Sequence, residues 1–388
     1  MKITAVKAWW LHVPIEAQHQ HTSDFGRHSS FDTALVRVET DAGLVGHGEA
    51  KAAVGGTGVY GALVQTIVRD LGPAVVGLDP RDPALAWETL YNGSRAHYAL
   101  AAGHGFPNLG RRGLTISGLS GIDIALWDIL GQSLGAPVWR LLGGATHAWL
   151  PAYASGGWAD AAGIGAQLKG YTDKGFRAVK MRIGAQDGTP QASAERVIAA
   201  RKALGPGIGL MTDAHGTFHS RDAKRFARLV EPCDLAWFEE PVSADDLEGL
   251  AEVHAATDIS IAAGESLFTR FEFRDAIAAR AVDILQPDPA ICGGITETAR
   301  IAALAATHQL RLAPHLWGGA VMFAAGLHVS IASPAAFILE YSLGRNPMLH
   351  ELAPETFPVV DGGIAAPERP GLGVTPRQEF IERYAVKL

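Results

Sequence analysis

The chain has 388 residues, which exceeds one ordinary domain, so a large domain with a smaller companion is expected. Its 48% hydrophobic content supplies a sizeable core, and a net charge of −7 argues against a nucleic-acid partner. The only two cysteines, Cys233 and Cys292, exclude a disulfide framework and a cysteine-rich zinc site, and the reduced cytoplasm is the expected compartment.

The first part of the chain predicts a mixed unit of strands and helices, of the α+β class. A turn at Asp41-Ala42-Gly43 joins two strands into a hairpin. The predicted strands cover residues 2–13, 33–40 and 44–50. Helical periodicity follows over residues 60–71, 83–91, 117–135 and 138–142.

Between the first two strands, Ile15 to Phe31 is polar, aperiodic and rich in histidine. The spacing of His19, His21 and His28 matches no compact ligand motif, although a metal cluster stays an alternative. We expect this stretch to be a mobile loop that covers a substrate.

A repeating pattern then runs from residue 151 to residue 341. Short apolar runs each end on a polar or charged residue, at intervals of roughly 25 residues, which leaves room for the crossover that parallel strands need. The pattern predicts a β/α barrel. Its active-site face would carry Arg182, Asp213, Glu239, Glu265, Asp288, His315 and Glu340.

One part of this region, Leu312 to Leu339, carries no Asp, Glu, Lys or Arg and is long enough to cross a membrane. It contains His315, His328 and two prolines, however, and it fits the same succession of strand, loop and helix. We therefore expect no membrane span, and the N-terminal residues contain no convincing targeting segment.

Three acids, Asp213, Glu239 and Glu265, end successive predicted strands, so their carboxylates should converge and repel one another. A hard divalent cation removes this repulsion, and an all-oxygen set favours Mg²⁺ or Mn²⁺ over zinc. Capping of helix dipoles explains one or two such acids, but not three in succession. Strand alternation leaves open whether Glu239 or Glu240 is the ligand.

His315 and Asp288 end neighbouring strands. A carboxylate beside an imidazole fixes its tautomer and raises its basicity, which suits a general base near neutral pH. Lys180 and Arg182 alternate to the same face of their strand, where they can bind an anionic substrate or stabilise an enolate.

Two further residues face the same site in this interpretation. His215 lies two residues beyond Asp213 and is a candidate fourth ligand, helix cap or acid. Glu340 is a candidate for a hydrogen bond to the substrate or for an ion pair at the rim. Together the constellation predicts abstraction of the α-proton of a carboxylate through an enediolate.

On these motifs the chain resembles the enolase superfamily, mandelate racemase subgroup, over essentially its whole length. The resemblance rests on Asp213, Trp237-Phe238-Glu239-Glu240-Pro241, Gly264-Glu265, Asp288 with Pro314-His315, Glu340 and the run from Ser120 to Asp128. It implies an α/β fold, a (β/α)7β modified TIM barrel with an N-terminal α+β capping domain. The capping domain would span residues 1–130, completed by the tail 360–388, and the barrel residues 131–359.

The resemblance also implies Mg²⁺ on Asp213, Glu239 and Glu265, and the family's usage selects Glu239 over Glu240. It pairs His315 with Asp288 as a dyad and makes Glu340 a substrate contact. A homo-oligomer, from a dimer to an octamer, is expected, with a small carboxylate substrate and no nucleic acid.

Two departures from the family pattern carry information. Arg182 stands where the family has a second lysine, and an arginine is a poor general base, so two-base racemisation is disfavoured. The motif Asp213-Ala214-His215-Gly216 resembles that of galactonate-type dehydratases, in which the histidine protonates the leaving hydroxyl. Those enzymes lack the Lys180 and Arg182 pair.

We therefore expect Mg²⁺-dependent dehydration of a sugar acid, an aldonate or aldarate, to a 2-keto-3-deoxy acid. A cycloisomerase of an aldaric lactone or anhydro sugar acid is the alternative, followed by a racemase or epimerase. A non-catalytic sugar-acid binding protein is the alternative outside the enzymes. Substrate identity should depend on Ile15 to Phe31, Lys51 and Trp317.

Overall fold

The computed structural model describes residues 1–24, 26–52, 58–105 and 112–388. In chain order its strands are β1 (Ile3–Pro14), β2 (His21–Ser23), β3 (Gly26–His28), β4 (Ser30–Thr40), β5 (Val45–Ala50), β6 (Trp149–Gly156), β7 (Ala178–Arg182), β8 (Gly209–Asp213), β9 (Trp237–Glu239), β10 (Ile261–Ala263), β11 (Ile284–Leu285), β12 (Arg311–Leu312), β13 (Leu339–Ser342) and β14 (Gly363–Ala365).

The helices alternate with these strands in the second half of the chain. They are α1 (Val59–Gln65), α2 (Gly72–Val75), α3 (Pro83–Asn92), α4 (Ala96–Ala102), α5 (Leu114–Leu134), α6 (Val138–Leu141), α7 (Ile164–Thr172), α8 (Pro190–Leu204), α9 (Ser220–Val230), α10 (Leu247–His254), α11 (Thr269–Ala278), α12 (Gly294–Thr307), α13 (Ala320–Ala332), α14 (Pro347–His350) and α15 (Gln378–Tyr384).

An antiparallel sheet in the order β1-β4-β5 forms the first unit, and helix α5 packs on it. The sheet and the helix approach closely because glycines face each other. A Cβ atom added to Gly48 would lie 1.8 Å from the carbonyl oxygen of Gly121. The predicted hairpin is confirmed, with Gly43 in its turn at a φ of 79°.

Eight parallel strands form the second unit, in the order β12-β11-β10-β9-β8-β7-β6-β13. The Leu312 N–H donates to the carbonyl of Ala335 at 2.8 Å, just before β13, which brings the two ends of the sheet together. Seven helices, α7 to α13, connect the strands. The predicted (β/α)7β barrel with an α+β cap is therefore confirmed.

The barrel interior contains a ring of apolar side chains contributed by every strand or its immediate neighbour: Tyr153, Ala178, Met211, Trp237, Ala262, Ile284, Ala313 and Ile338. Side chains two residues apart on a strand share a face. Asp213 follows Met211 and Glu239 follows Trp237 by two residues, so both carboxylates point into the barrel above this ring.

Strand β10 departs from simple alternation. Gly264, which follows the strand, has a φ of 139°, a backbone conformation that favours glycine. This residue reorients the chain after Ala262, so that the next carboxylate, Glu265, also reaches the site.

The tail after β13 contacts both units. Strand β14 pairs antiparallel with β6, and the Val386 N–H donates to the carbonyl of Trp10 at 2.9 Å. The domain boundaries at residues 130 and 359 and the oligomeric state stay predictions.

Two local predictions differ from the structure, and one helix was not predicted. The loop expected over Ile15 to Phe31 contains a short hairpin of β2 and β3, in which Gly26, the first residue of β3, takes a φ of 93°. The side chains of His19 and His21 lie outside the described part. The helix expected over residues 60–71 becomes a π-helix from Thr66 to Leu71, and helix α4 carried no start signal in the sequence.

One helix, α5 (Leu114–Leu134), is long and apolar enough to cross a membrane, yet 78% of its most apolar window is buried inside the protein. Its apolar composition follows from its position between the capping sheet and α12. The apolar stretch 312–339 forms β12, α13 and the start of β13, as expected.

Candidate active site

Three carboxylates converge at the carboxyl ends of the barrel strands. One oxygen each of Asp213, Glu239 and Glu265 lies within 4.8 Å of the others, so the three can hold a metal ion. Asp213 ends β8, Glu239 ends β9, and Glu265 follows β10. Neighbouring strands place Asp213 opposite Glu239 in register.

Hydrogen bonds orient two of these carboxylates. The indole N–H of Trp237 and the amide of Gln286 donate to Glu239 Oε2 at 2.8 and 2.9 Å, and the other oxygen, Oε1, contacts Lys180. The His215 N–H donates to Asp213 Oδ1 at 3.0 Å, so Oδ2 is the oxygen that this hydrogen bond does not engage. The neighbouring Glu240, with a φ of 39°, does not belong to the cluster.

Two buried cations contact the acids. Lys180 Nζ lies 3.3 Å from Asp213 Oδ2 and 3.2 Å from Glu340 Oε1, and it also contacts Glu239. Arg182 contacts Asp213. Burial lowers the pKa of Lys180, but the nearby Glu239 and Glu340 carboxylates outweigh burial and raise it well above its usual value. Both side chains therefore remain positively charged.

The same charges control the pKa values of the acids. Burial raises the pKa of Asp213, but Arg182, His215 and Lys180 together outweigh burial and hold it well below its usual range. Burial and the neighbouring Asp213 raise the pKa of Glu239 to about 7. Two carboxylates this close in a buried site need added positive charge.

His315 and Asp288 form a pair beside the acids. His315 Nδ1 lies 2.8 Å from Asp288 Oδ2, and the Ala290 N–H holds Asp288 Oδ1 at 2.8 Å. The other ring atom, Nε2, lies 3.4 Å from Glu265 Oε2. Burial lowers the pKa of His315, but Glu265, Glu340 and the hydrogen bond to Asp288 together raise it.

His215 reaches the opposite end of the carboxylates. Its Nε2 atom lies 3.5 Å from Asp213 Oδ2, and its Nδ1 atom lies 3.0 Å from Asp24 Oδ2. The residue takes a left-handed φ of 47°, which turns its side chain back toward β8. The structure thus brings both predicted histidines to the same cluster of acids.

Glu340 lies beneath the cations, fully buried. Its Oε2 atom accepts the Leu316 N–H at 2.8 Å, and its Oε1 atom faces Lys180. Burial raises the pKa of Glu340, but Lys180 and His315 outweigh burial and hold it well below its usual range. The ion pair with Lys180 is buried and not at the rim, and the hydrogen bond from Glu340 to a substrate stays a prediction.

The capping unit covers the barrel mouth near these residues. Lys51 Nζ donates to the carbonyl of Trp317 at 2.9 Å and lies 3.6 Å from Asp288 Oδ2. The Arg182 guanidinium lies 5.5 Å from the centre of the Trp317 ring. A small cavity beside them is also lined by His28 and by Ser30, Phe31, Asp32, Thr33, Glu49, Asn346 and Met348.

The sequence interpretation missed two residues of the site, Gln286 and Asp24. Gln286 shares strand parity with Asp288, so alternation could have indicated that it points inward. No comparable signal existed for Asp24, because it lies in an aperiodic stretch of the capping unit.

Comparison with known proteins places the chain in a family. Residues 5–143 match the N-terminal domain of the mandelate racemase / muconate lactonizing enzyme family, and residues 163–380 match the enolase C-terminal domain-like family. The chain belongs to the enolase superfamily. The predicted family is therefore confirmed, and with it the prediction of an enzyme.

Curated relatives align over most of their length. The chain is 35% identical to a D-galactarolactone cycloisomerase of Agrobacterium fabrum, covering 99% of both chains. It is 34% identical to a D-galactonate dehydratase of Xanthomonas euvesicatoria, covering 90% of both chains.

Solved structures agree with the fold. A member of the enolase superfamily from Polaromonas sp. JS666 superposes with a TM-score of 0.89 at 31% identity, over 100% of this chain and 98% of that one. A racemase from Streptomyces coelicolor with bound magnesium superposes with a TM-score of 0.86 at 30% identity, over 99% of this chain and 100% of that one.

Proposed function

We propose that this protein is a Mg²⁺-dependent hydro-lyase that removes water from a sugar acid, an aldonate or aldarate, to give a 2-keto-3-deoxy acid. The observation that carries the proposal is the position of two imidazoles at opposite ends of one row of carboxylates. His315 Nε2 lies 3.4 Å from Glu265, and His215 Nε2 lies 3.5 Å from Asp213. β-Elimination of water needs one group to take the α-proton and another to protonate the leaving oxygen.

The proposal includes a Mg²⁺ site at Asp213, Glu239 and Glu265. Their oxygens lie within 4.8 Å of one another, and a set of carboxylate oxygens suits this hard cation. The Glu239 carboxylate is held in one orientation because two donors bind its Oε2 atom. When bound, Mg²⁺ would supply positive charge for the substrate carboxylate and for the enediolate.

His315 is the proposed base. Because Asp288 engages Nδ1, Nε2 is the atom available to take the α-proton. Lys180 and Arg182 stay positively charged, so we assign them to the substrate carboxylate and the enediolate rather than to proton transfer. We assign Glu340 to holding Lys180 in place.

His215 is the proposed acid. The electron pair of the Cα–H bond passes into the enediolate and then forms the Cα–Cβ double bond, while the bond between the β-carbon and its oxygen breaks and its electron pair leaves with that oxygen. His215 gives its proton to that oxygen, which departs as water. The enol that remains tautomerises to the keto acid.

A screen of sugar mono- and diacids with the Mg²⁺-loaded protein in D₂O tests the proposal. We expect a 2-keto-3-deoxy acid from at least one open-chain acid, together with a dependence on Mg²⁺. An α-epimer as the sole product would indicate a racemase or epimerase instead. Absence of both product and α-hydrogen exchange across the panel would contradict the proposal.

A cycloisomerase that opens an aldaric lactone is the second candidate, favoured by the relative of that name at 35% identity. In an aldaric γ-lactone the oxygen on the β-carbon, counted from the free carboxylate, is the ester oxygen. It leaves as part of a stable carboxylate and therefore needs no proton from an acid. A His215→Asn variant separates the two functions. Dehydration requires this residue, whereas lactone opening should continue without it.

A further inference from the structure

The capping hairpin contributes a carboxylate to the barrel site. Asp24 lies in the turn between β2 and β3, and its Oδ2 atom lies 3.0 Å from His215 Nδ1. The Gln186 N–H donates to Asp24 Oδ1 at 3.3 Å. The side chains of Asp24 and His215 are only 5% and 6% exposed. A buried carboxylate without partners is unfavourable, so these contacts hold Asp24 in one place.

The contact decides which nitrogen of His215 faces the acids. With Nδ1 directed to Asp24, Nε2 lies on the side of Asp213, at 3.5 Å. The main chain supports the same orientation, since the His215 N–H is bound to Asp213 Oδ1. The barrel therefore fixes the main-chain end of this side chain, and the capping hairpin fixes its ring through Nδ1.

We propose that Asp24 is a positioning residue for His215, which it turns so that Nε2 delivers the proton to the leaving oxygen. This inference rests on the proposed function. Asp24 acts through His215 and contacts no reacting atom. The leaving-group step would then depend on the capping hairpin, whereas α-proton abstraction by His315 and Asp288 would not.

The test compares two rates in D₂O, with Mg²⁺ and an open-chain acid that the wild-type protein converts. For Asp24→Ala we expect product formation to fall by about 10- to 100-fold, the range for losing a group that orients a histidine. Exchange of the substrate α-hydrogen should continue, so deuterated substrate accumulates. Asp24→Glu, which keeps a carboxylate, should recover part of the lost turnover.

Glu39→Gln is the matched control. It removes a negative charge from the same unit, but Glu39 pairs with Lys7 on the surface, so both rates should be unchanged. Equal losses of exchange and product in Asp24→Ala would overturn the inference, because they would indicate general disruption of the site. Unchanged product formation would overturn it as well.

A spectroscopic readout needs no substrate. In protein with ¹⁵N-labelled histidine, the ring signals of His215, assigned with His215→Asn, should show Nδ1 bonded to Asp24 and change in Asp24→Ala. Unchanged ring signals would overturn the inference even if no sugar acid were converted. A wild-type protein that neither exchanges nor converts any acid would instead contradict the proposed function.

Discussion

The two histidine–carboxylate pairs differ in where their members come from. His315 and Asp288 are 27 residues apart, and their atoms meet at 2.8 Å at the ends of neighbouring barrel strands. His215 and Asp24 are 191 residues apart, and they join the barrel to the capping hairpin at 3.0 Å. The barrel alone builds the first pair, whereas the second requires both units.

The difference suggests a division of labour between the two units. The base and its partner both belong to the barrel, so their geometry does not depend on the capping hairpin. The orientation of the acid depends on Asp24, which comes from the capping hairpin.

The largest effect is expected for His315→Asn. Loss of a general base lowers a rate by about 10²- to 10⁴-fold, and here both product formation and α-hydrogen exchange should fall together. Exchange followed by NMR in D₂O measures it. His308→Asn, an exposed histidine outside the site, should leave both rates unchanged. Exchange that persists in His315→Asn would remove this residue as the base.

Loss of a carboxylate from the proposed metal cluster should be nearly as severe. Partners that only support a ligand are worth about 10- to 100-fold in affinity, so Glu265→Gln should weaken Mg²⁺ binding by more than about 100-fold. Calorimetric titration measures this without any substrate. Glu240→Gln is the matched control. An equal loss of Mg²⁺ affinity in that variant would indicate that Glu240 is a metal ligand.

Asp288→Asn should show a smaller loss, of about 10- to 100-fold, because the base remains but its ring is no longer held. Exchange and product should decline in parallel. This pattern differs from the one expected for Asp24→Ala, in which product formation falls but exchange continues. A decline of product alone in Asp288→Asn would erase the distinction between the two pairs.

Another buried histidine, His328, contacts no carboxylate among the described residues and provides a contrast. The Trp139 N–H donates to its Nδ1 at 3.1 Å, and its Nε2 faces the Leu372 carbonyl at 3.2 Å. Burial lowers the pKa of His328 from 6.5 to about 4, and the hydrogen bond to Leu372 offsets only part of this. The pKa of His315, which has carboxylate neighbours, moves upward instead.

The lowered pKa of His328 predicts acid sensitivity of the fold. Between about pH 6.5 and pH 4 this histidine is protonated in the unfolded chain but not in the folded protein. The free energy of unfolding should therefore decline as the pH falls from about 6.5 to about 4. The total decline is about 3 kcal/mol for this group. Chemical denaturation across this pH range measures it. His328→Gln should show a shallower decline, and an identical slope in that variant would refute the assignment.

Much of the site was predictable because its residues obey local rules. Asp213 and Glu239 follow inward-facing residues by two positions, and strand ends in a barrel meet at one face. Parity alone could not choose between Glu239 and Glu240. The resemblance selects Glu239, whose carboxylate lies in the cluster, and its role as a metal ligand stays a prediction. Glu265 also reaches the cluster, although Gly264 interrupts the alternation there.

The rest of the site depends on how the two units meet. Asp24 lies in a stretch without periodicity, and its partner His215 is far away in sequence, so no local pattern could pair them. The hairpin of β2 and β3 was likewise hidden, because its strands are only three residues each. Short strands without an apolar face give no periodic signal.

In the proposed mechanism one histidine, His315, takes the α-proton and another, His215, protonates the leaving group. The most direct measurement is the ratio of α-hydrogen exchange to product formation by His215→Asn in D₂O, with Mg²⁺ and an open-chain sugar acid. The account predicts continued exchange with product formation reduced by about 10²-fold or more. Loss of exchange and product in equal measure, or undiminished product, would contradict it.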